Sequence, residues 1–336
     1  MPFTAAQLER ILAPDLIPQA RVPHRATRIA ESYLKRRLFA WEESSVAAQH
    51  ALYEAFYTDL RSHALDAADR WKVTTIGSDM RASLVRSSII VHATISLDAL
   101  KQSLLAVARD RIETAWLAGY YGRAWLLDVA TTPDVTIAIP PPNPLREALS
   151  DDDLIRLLGR EWVEAYALEM DALLLSIRRA LNTSMTQGKG MLDAMRAVRD
   201  AMGISTDRRN QRYRQNFNRV QVLTRTYIMD ASNAGATAAY RANSDVLSGY
   251  EWLTARDERV CPECAPLNGT VYPLSSYYRP PKHPQCRCTV VPVVDEALLV
   301  PREEPPRQTL GEWLLAQGIS AVLQSFLIGG ARSERV

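Results

Sequence analysis

Residues 261–288 read CPECAPLNGTVYPLSSYYRPPKHPQCRC, and all four cysteines of the 336-residue chain lie in this window. The spacing is Cys261-x2-Cys264, eighteen intervening residues, then His283-x2-Cys286-x-Cys288. Two cysteines separated by two residues close a tight turn that aims both sulfurs at one ion, and Zn2+ takes four such soft or borderline ligands in a tetrahedron. Five candidates compete for four places. Cys261, Cys264 and Cys286 come first, with His283 and Cys288 competing for the last position. Alternate residues of an extended chain share a face, so an extended Cys286–Cys288 segment would aim both sulfurs at the metal and leave His283 a supporting role. A structural zinc site is the preferred reading. A disulfide in an assembled particle and free or catalytic thiols are the alternatives. A catalytic zinc keeps an open coordination position and needs a base. Only Asp257, Glu258 and Glu263 lie nearby, and no His-Glu-x-x-His helix surrounds them.

Working outward from the window, the texture is that of a small sheet with long loops. Tyr250-Glu-Trp-Leu-Thr-Ala, Thr270-Val-Tyr-Pro-Leu and Arg287-Cys-Thr-Val-Val-Pro-Val-Val are short β-type runs, separated by Asn268-Gly269 and Pro280-Pro281. Gly269 is expected to supply the positive φ of a two-residue Asn-Gly turn. Trp252 reads as a core residue, and Asp257 with Arg259 as a turn-stabilising pair. Upstream, the periodicity is helical. Leu34, Leu38 and Trp41, then Leu52, Phe56 and Leu60, mark an amphipathic helix over about 26–71, unbroken or broken once. Leu97, Leu100, Leu104 and Val107 mark a second over about 78–127, with Gly119 and Gly122 predicting a break near its end. These two should pack together. Thr131 to Pro144 cannot continue a helix through Pro140-Pro141-Pro142 and reads as a linker. Ser150-Asp151-Asp152-Asp153 reads as a helix cap, with its carboxylates at the positive end of the dipole, in preference to an acidic metal site. Further helices are expected to about Asn182, from Met191 to Met202 with Gly203 as stop, and from about Asp207 to Tyr240. The fold class is therefore α+β, with mainly helical N-terminal and central regions and a small zinc-stapled β module near the C-terminus. The organisation reads as a helical domain over 1–130, a Pro-rich linker over 131–149, a helical part over 150–249, the β module over 250–294, and a Pro-rich connector with a C-terminal helix over 295–336. That last helix carries Ile319, Val322, Leu323, Phe326 and Leu327 on one face, for docking within the chain or on a partner.

Bulk composition excludes more than it identifies. The 47% hydrophobic content is that of a globular protein, and 40 basic against 38 acidic residues leave a net charge of only +2. No whole-molecule field drives the chain onto nucleic acid or an anionic membrane. The N-terminus lacks the order of a secretory signal, and no run of about 18 uninterrupted apolar residues appears, so no membrane association is expected. Arg208, Arg209, Arg212, Arg214, Arg219 and Arg225 crowd one stretch interleaved with Tyr213 and Phe217. Arg208, Arg209, Arg212 and Arg219 are candidate nucleic-acid or partner contacts, weighed against a solvated helix face. His24, His50, His63 and His92 are scattered without a ligand motif. No Walker loop, dinucleotide fingerprint or nucleophile elbow appears. No catalytic or organic-cofactor residues are assigned, and the chain reads as no enzyme.

The residues around the cysteines carry a resemblance. Trp252-Leu-Thr-Ala-Arg-Asp-Glu-Arg-Val-Cys-Pro-Glu-Cys-Ala-Pro-Leu-Asn-Gly-Thr-Val-Tyr, followed by Pro281-Lys-His-Pro-Gln-Cys-Arg-Cys-Thr, resembles the signature of the phage Mu F-like head morphogenesis proteins. An upstream Arg-Thr pair and a later Asn are matched by Arg225-Thr226 and Asn233. The resemblance covers about residues 170 to 294. Tyr227 departs from the Glu often found after Arg-Thr, and Asn268 stands in place of Asp. Neither change removes a candidate ligand. The resemblance implies a minor capsid component of a tailed bacteriophage, present in few copies at the portal vertex and needed to make or fill the procapsid. It implies the portal protein and the major capsid or scaffolding protein as partners. Packaged DNA, which some relatives touch or accompany, is a further partner. The implied location is the virion head, with assembly in the host cytoplasm. The alternatives are a DNA-binding head protein packaged or ejected with the genome, and a zinc-dependent enzyme or injected effector.

Overall fold

The computed structural model describes residues 25–77, 79–139, 162–204, 215–254, 260–299 and 310–319. Among the described residues, six helices and one small antiparallel sheet follow in order: α1 Arg25–Arg70, α2 Met80–Ala130, α3 Trp162–Thr186, α4 Met191–Met202, α5 Gln215–Ala242, β1 Leu247–Leu253, β2 Val271–Tyr272, β3 Thr289–Val294 and α6 Leu310–Ala316. The α+β class predicted from the patterning is the class observed. The chain divides into two compact units, one of Met1–Glu42, Arg111–Arg160 and Arg225–Val336, the other of Glu43–Asp110 and Glu161–Thr224. The division falls within α1, α2 and α5.

In the second unit the helices bury apolar stripes at helical spacing. Val85, Ile89, Ala93, Leu97, Leu100 and Leu104 of α2 are buried with Leu60 of α1, Leu173 and Ile177 of α3, and Met195 and Val198 of α4. A buried polar triangle ties three of these helices. The Gln49 amide donates to the Tyr166 hydroxyl at 3.1 Å, the Thr224 hydroxyl donates to the Gln49 carbonyl at 2.8 Å, and the two hydroxyls lie 2.8 Å apart. Buried polar atoms that satisfy one another specify a register that apolar packing alone leaves loose. His63 and His92 stack across α1 and α2 with centroids 4.1 Å apart. The ends of α4 follow the expected chemistry: Gly190 precedes it, and Gly203 closes it at φ 82 with its N–H on the Asp200 carbonyl. By length and composition α2 is apolar enough to cross a membrane, with 28% of its most apolar window buried. One side of it carries the buried stripe, and the opposite side leaves Leu84, Val91 and Ile95 exposed.

In the first unit α1 and α2 are both continuous, and the break expected at Gly119 and Gly122 does not occur. These glycines serve close approach instead. A Cβ on Gly119 would lie 2.1 Å from the Ser232 carbonyl oxygen, and one on Gly235 would lie 2.1 Å from that of Trp116. The backbones of α2 and α5 therefore touch at a reciprocal glycine contact. Gly122 likewise makes room for Leu34 of α1.

The sheet runs β2-β1-β3, with Tyr250 opposite Tyr272 on one side and Pro292 on the other. Pro292 lacks an N–H and is tolerated because β3 is an edge strand. Gly269 takes the predicted positive φ, at 84°. Asn268 and Gly269 form the expected two-residue turn, with Asn268 at φ -61 and ψ 124 and the Thr270 N–H closing on the Leu267 carbonyl at 3.0 Å. The turn does not join β1 to β2 directly but follows the 3-10 turn Ala265–Leu267. The Asn268 side-chain oxygen braces it, accepting from the Thr254 N–H at 3.1 Å and from the Thr254 hydroxyl at 3.0 Å. The C-terminal helix expected to run on from Leu310 stops at Ala316: Gly318 takes a φ of 72° and the Ile319 N–H returns to the Leu314 carbonyl at 2.9 Å, a left-handed glycine stop. Within α6 the Trp313 indole donates to Asp128 at 2.7 Å. The cap at Ser150–Asp153, the proline run of the linker, the Asp257–Arg259 pair and the apolar positions Val322 to Leu327 lie outside the described residues.

Candidate metal centre

The site is built on loops flanking the sheet. Cys261 opens a turn in which the Cys264 N–H bonds the Cys261 carbonyl at 3.1 Å and its sulfur at 3.3 Å. This is the tight turn that the two-residue spacing predicts. In the later loop, the Cys286 N–H donates to the His283 carbonyl at 3.1 Å. Gln285 between them holds a left-handed φ of 59°. Cys286 and Cys288 are buried while the intervening Arg287 is not, the alternation expected of extended chain.

All five candidates converge. Cys261, Cys264 and His283 form one group of mutually close ligand atoms, and Cys264, Cys286 and Cys288 form another, with Cys264 common to both. The Cys264 and Cys286 sulfurs lie 3.8 Å apart. Tetrahedral zinc with Zn–S bonds of about 2.3 Å requires a sulfur–sulfur edge of about 3.8 Å, so this pair is spaced for shared ligation. Cys261 Sγ lies 3.0 Å from His283 Nε2. His283 Nδ1 lies 2.8 Å from the Pro284 carbonyl oxygen, which can only accept. Nδ1 therefore carries the proton and Nε2 presents its lone pair to the cluster, the arrangement of a metal-ligating histidine. All four cysteines are free.

The surroundings suit anionic sulfur. Tyr278 and Trp252 stack at 5.6 Å, and Tyr272 and Tyr278 meet at 5.4 Å. The Tyr278 hydroxyl is buried with no hydrogen-bond partner. Burial, then Cys264 and Cys286, push its pKa up. The Trp252 indole N–H finds no other partner and favours the thiolate of Cys288. Buried donors left over beside a sulfur cluster are satisfied when those sulfurs are metal-bound thiolates. Among the thiols, a hydrogen bond from Cys288 leads the effects that draw Cys286 down to about 5, against the opposing effect of burial. Burial foremost pushes Cys264 up, and the same Cys286 contact pushes Cys288 up. A divalent cation bound here would displace the protons of these thiols. The residues fit Zn2+ on donor set, spacing and histidine orientation.

Helix α5 contributes groups that the spacing of the ligands could not reveal. Thr226 Oγ1 accepts from the Gln285 N–H at 3.1 Å, and the Asn233 amide donates to the Cys288 carbonyl at 3.2 Å. Arg279 pairs with the buried Asp230 carboxylate. The Tyr240 hydroxyl donates to the Val290 carbonyl at 3.1 Å. Of the arginine candidates, Arg219 lies in the second unit, 3.7 Å from Glu169, and Arg208, Arg209 and Arg212 lie outside the described residues.

Fold and site together define a helical protein carrying a small sheet whose loops form a Cys/His centre able to hold a metal ion. Residues 176–291 match the family described as Phage Mu protein F like protein, and this stretch, from α3 to β3, belongs to the Mu F-like phage head morphogenesis family. No curated protein and no solved structure matches the chain.

Proposed function

We propose that the chain is a structural, non-catalytic minor head protein of a tailed bacteriophage, acting in head morphogenesis at the portal vertex. The observation that carries this reading is the placement of the Mu F-like match, which takes in α5, β1, β2 and all five candidate ligands. In this reading the centre is a structural zinc staple. A two-residue β2 and two long loops offer little regular structure, and a metal supplies cohesion that a module this small draws only in part from its core. The chain would reside in the virion head and meet the portal protein and the major capsid or scaffolding protein during assembly. Electron microscopy of heads carrying a labelled copy of the chain tests this, with label expected at a single vertex. Label spread over the shell, or virions and procapsids lacking the chain, would overturn it. DNA-dependent retention abolished by nuclease would transfer support to a genome-bound role.

A further inference from the structure

Three residues of α5 grip the segment that carries the last three candidate ligands. Arg279, four residues before His283, donates to the Asp230 backbone oxygen at 3.2 Å and pairs with its carboxylate. Between His283 and Cys286, the Gln285 N–H donates to Thr226 Oγ1 at 3.1 Å. At the end of the segment, the Asn233 amide spans from the Met229 carbonyl at 2.9 Å to the Cys288 carbonyl at 3.2 Å. Positions 226, 230 and 233 follow one another at i, i+4 and i+7, which places them on one side of the helix.

Gln285 sharpens what this grip accomplishes. Its φ of 59° is one that a side chain with a Cβ rarely adopts, and no glycine is present to relieve it. Such a residue persists only where its surroundings over-determine it. Here the determinants are the bond to Thr226 and the turn from the Cys286 N–H to the His283 carbonyl at 3.1 Å. Releasing Gln285 would rotate His283 and Cys286 relative to each other. A relaxed segment would still carry every ligand, but out of register.

We infer that Thr226, Asp230 and Asn233 are positioning residues of the metal centre, setting its affinity without touching the ion. The inference rests on reading the Cys/His cluster as a zinc site. Groups that orient metal ligands alter affinity by about 10–100-fold when removed, and these three act on backbone and on a neighbouring arginine rather than on the ligand atoms themselves.

The test is competition of the zinc-loaded full chain with a chromophoric chelator, across Thr226→Val, Asn233→Ala, Thr226→Ser and Trp313→Phe. Thr226→Val and Asn233→Ala should release zinc about 10–100-fold more readily. Their Co2+ forms should show a shifted thiolate charge-transfer band. Thr226→Ser keeps the hydroxyl and should hold zinc like the unmodified chain. Trp313→Phe removes the bond to Asp128 in the same unit. It should lower the melting temperature while leaving zinc affinity unchanged, separating positioning from general loss of stability. Folded Thr226→Val and Asn233→Ala proteins that hold zinc as tightly as the unmodified chain would overturn the inference, as would equal loosening by Trp313→Phe. If Thr226→Val fails to fold, Asn233→Ala decides by the same readout. An unmodified chain that binds no zinc would sink the metal reading itself, a result distinct from unchanged affinity in the variants.

Discussion

Cys264 belongs to both groups of close ligand atoms, whereas Cys261 and His283 belong to one and Cys286 and Cys288 to the other. Its replacement therefore breaks both groups, while any other single replacement leaves one intact. Cys264→Ser is expected to abolish stoichiometric zinc, measured by plasma emission after gel filtration, and Cys288→Ser to retain a weakened site. A Cys264→Ser protein with one zinc per chain would refute this use of the geometry. The five candidates were legible in the sequence because the spacing within each half is local: short turns bring Cys261 to Cys264, and His283 to Cys286 and Cys288. Thr226, Asp230 and Arg279 acquire their roles through contacts 59 and 49 residues apart in the chain. No periodicity links such positions. The Arg-Thr pair and Asn233 entered only through resemblance, which marks positions without saying what they touch.

The helices were legible because each leaves a period of 3.6 in its own segment, and the strands, buried along nearly their whole length, were legible as short β-type runs between turn residues. The crossing of α2 and α5 was not. A glycine within a helical pattern has two physical meanings, weak helix propensity or a point of close approach, and the segment alone does not separate them. Gly119 suggested a break. The partner glycine 116 positions away explains why the helix runs on. Both glycines cost their helices about 1 kcal/mol relative to alanine by propensity alone. At Gly235, however, an added methyl would meet the Trp116 carbonyl oxygen at 2.1 Å and the Tyr120 nitrogen at 2.8 Å, both backbone atoms. Backbone cannot swing aside as a flexible side chain can. Gly235→Ala is therefore expected to destabilise the protein by about 2–3 kcal/mol despite its better helix propensity. Gly190→Ala, where the nearest atom is 3.8 Å away, should stay within about 0.5 kcal/mol of the unmodified chain. Thermal melts of the two variants side by side check this. Equal melting temperatures would mean that the helices separate at little cost.

At the scale of the whole molecule, the division into two units sets how far the loss of a metal from the Cys/His centre would reach. The centre, the sheet and residues 225–242 of α5 fall in one unit, and the stripes of α3, α4 and 43–110 fall in the other. Within the first unit a bound metal would act through direct bonds: Gln285 to Thr226, Cys288 to Asn233, and Val290 to Tyr240. The second unit has its own buried stripes and its own polar triangle around Tyr166. A ligand that binds only the folded state stabilises it by about 2.7 kcal/mol at a hundredfold excess over its dissociation constant, and stripping it withdraws that amount from the unit that binds it. Chelation should therefore deprotect backbone amides over 247–294 and 225–242 in hydrogen exchange, while those over 85–104 and 165–181 exchange as before. The near-ultraviolet signal of Trp252, Tyr272 and Tyr278 should fall while most of the helical far-ultraviolet signal remains. Returning zinc should restore both. Uniform deprotection of all helices would show that the units unfold as one, and unchanged exchange in the sheet would show that its aromatic core holds it without the ion.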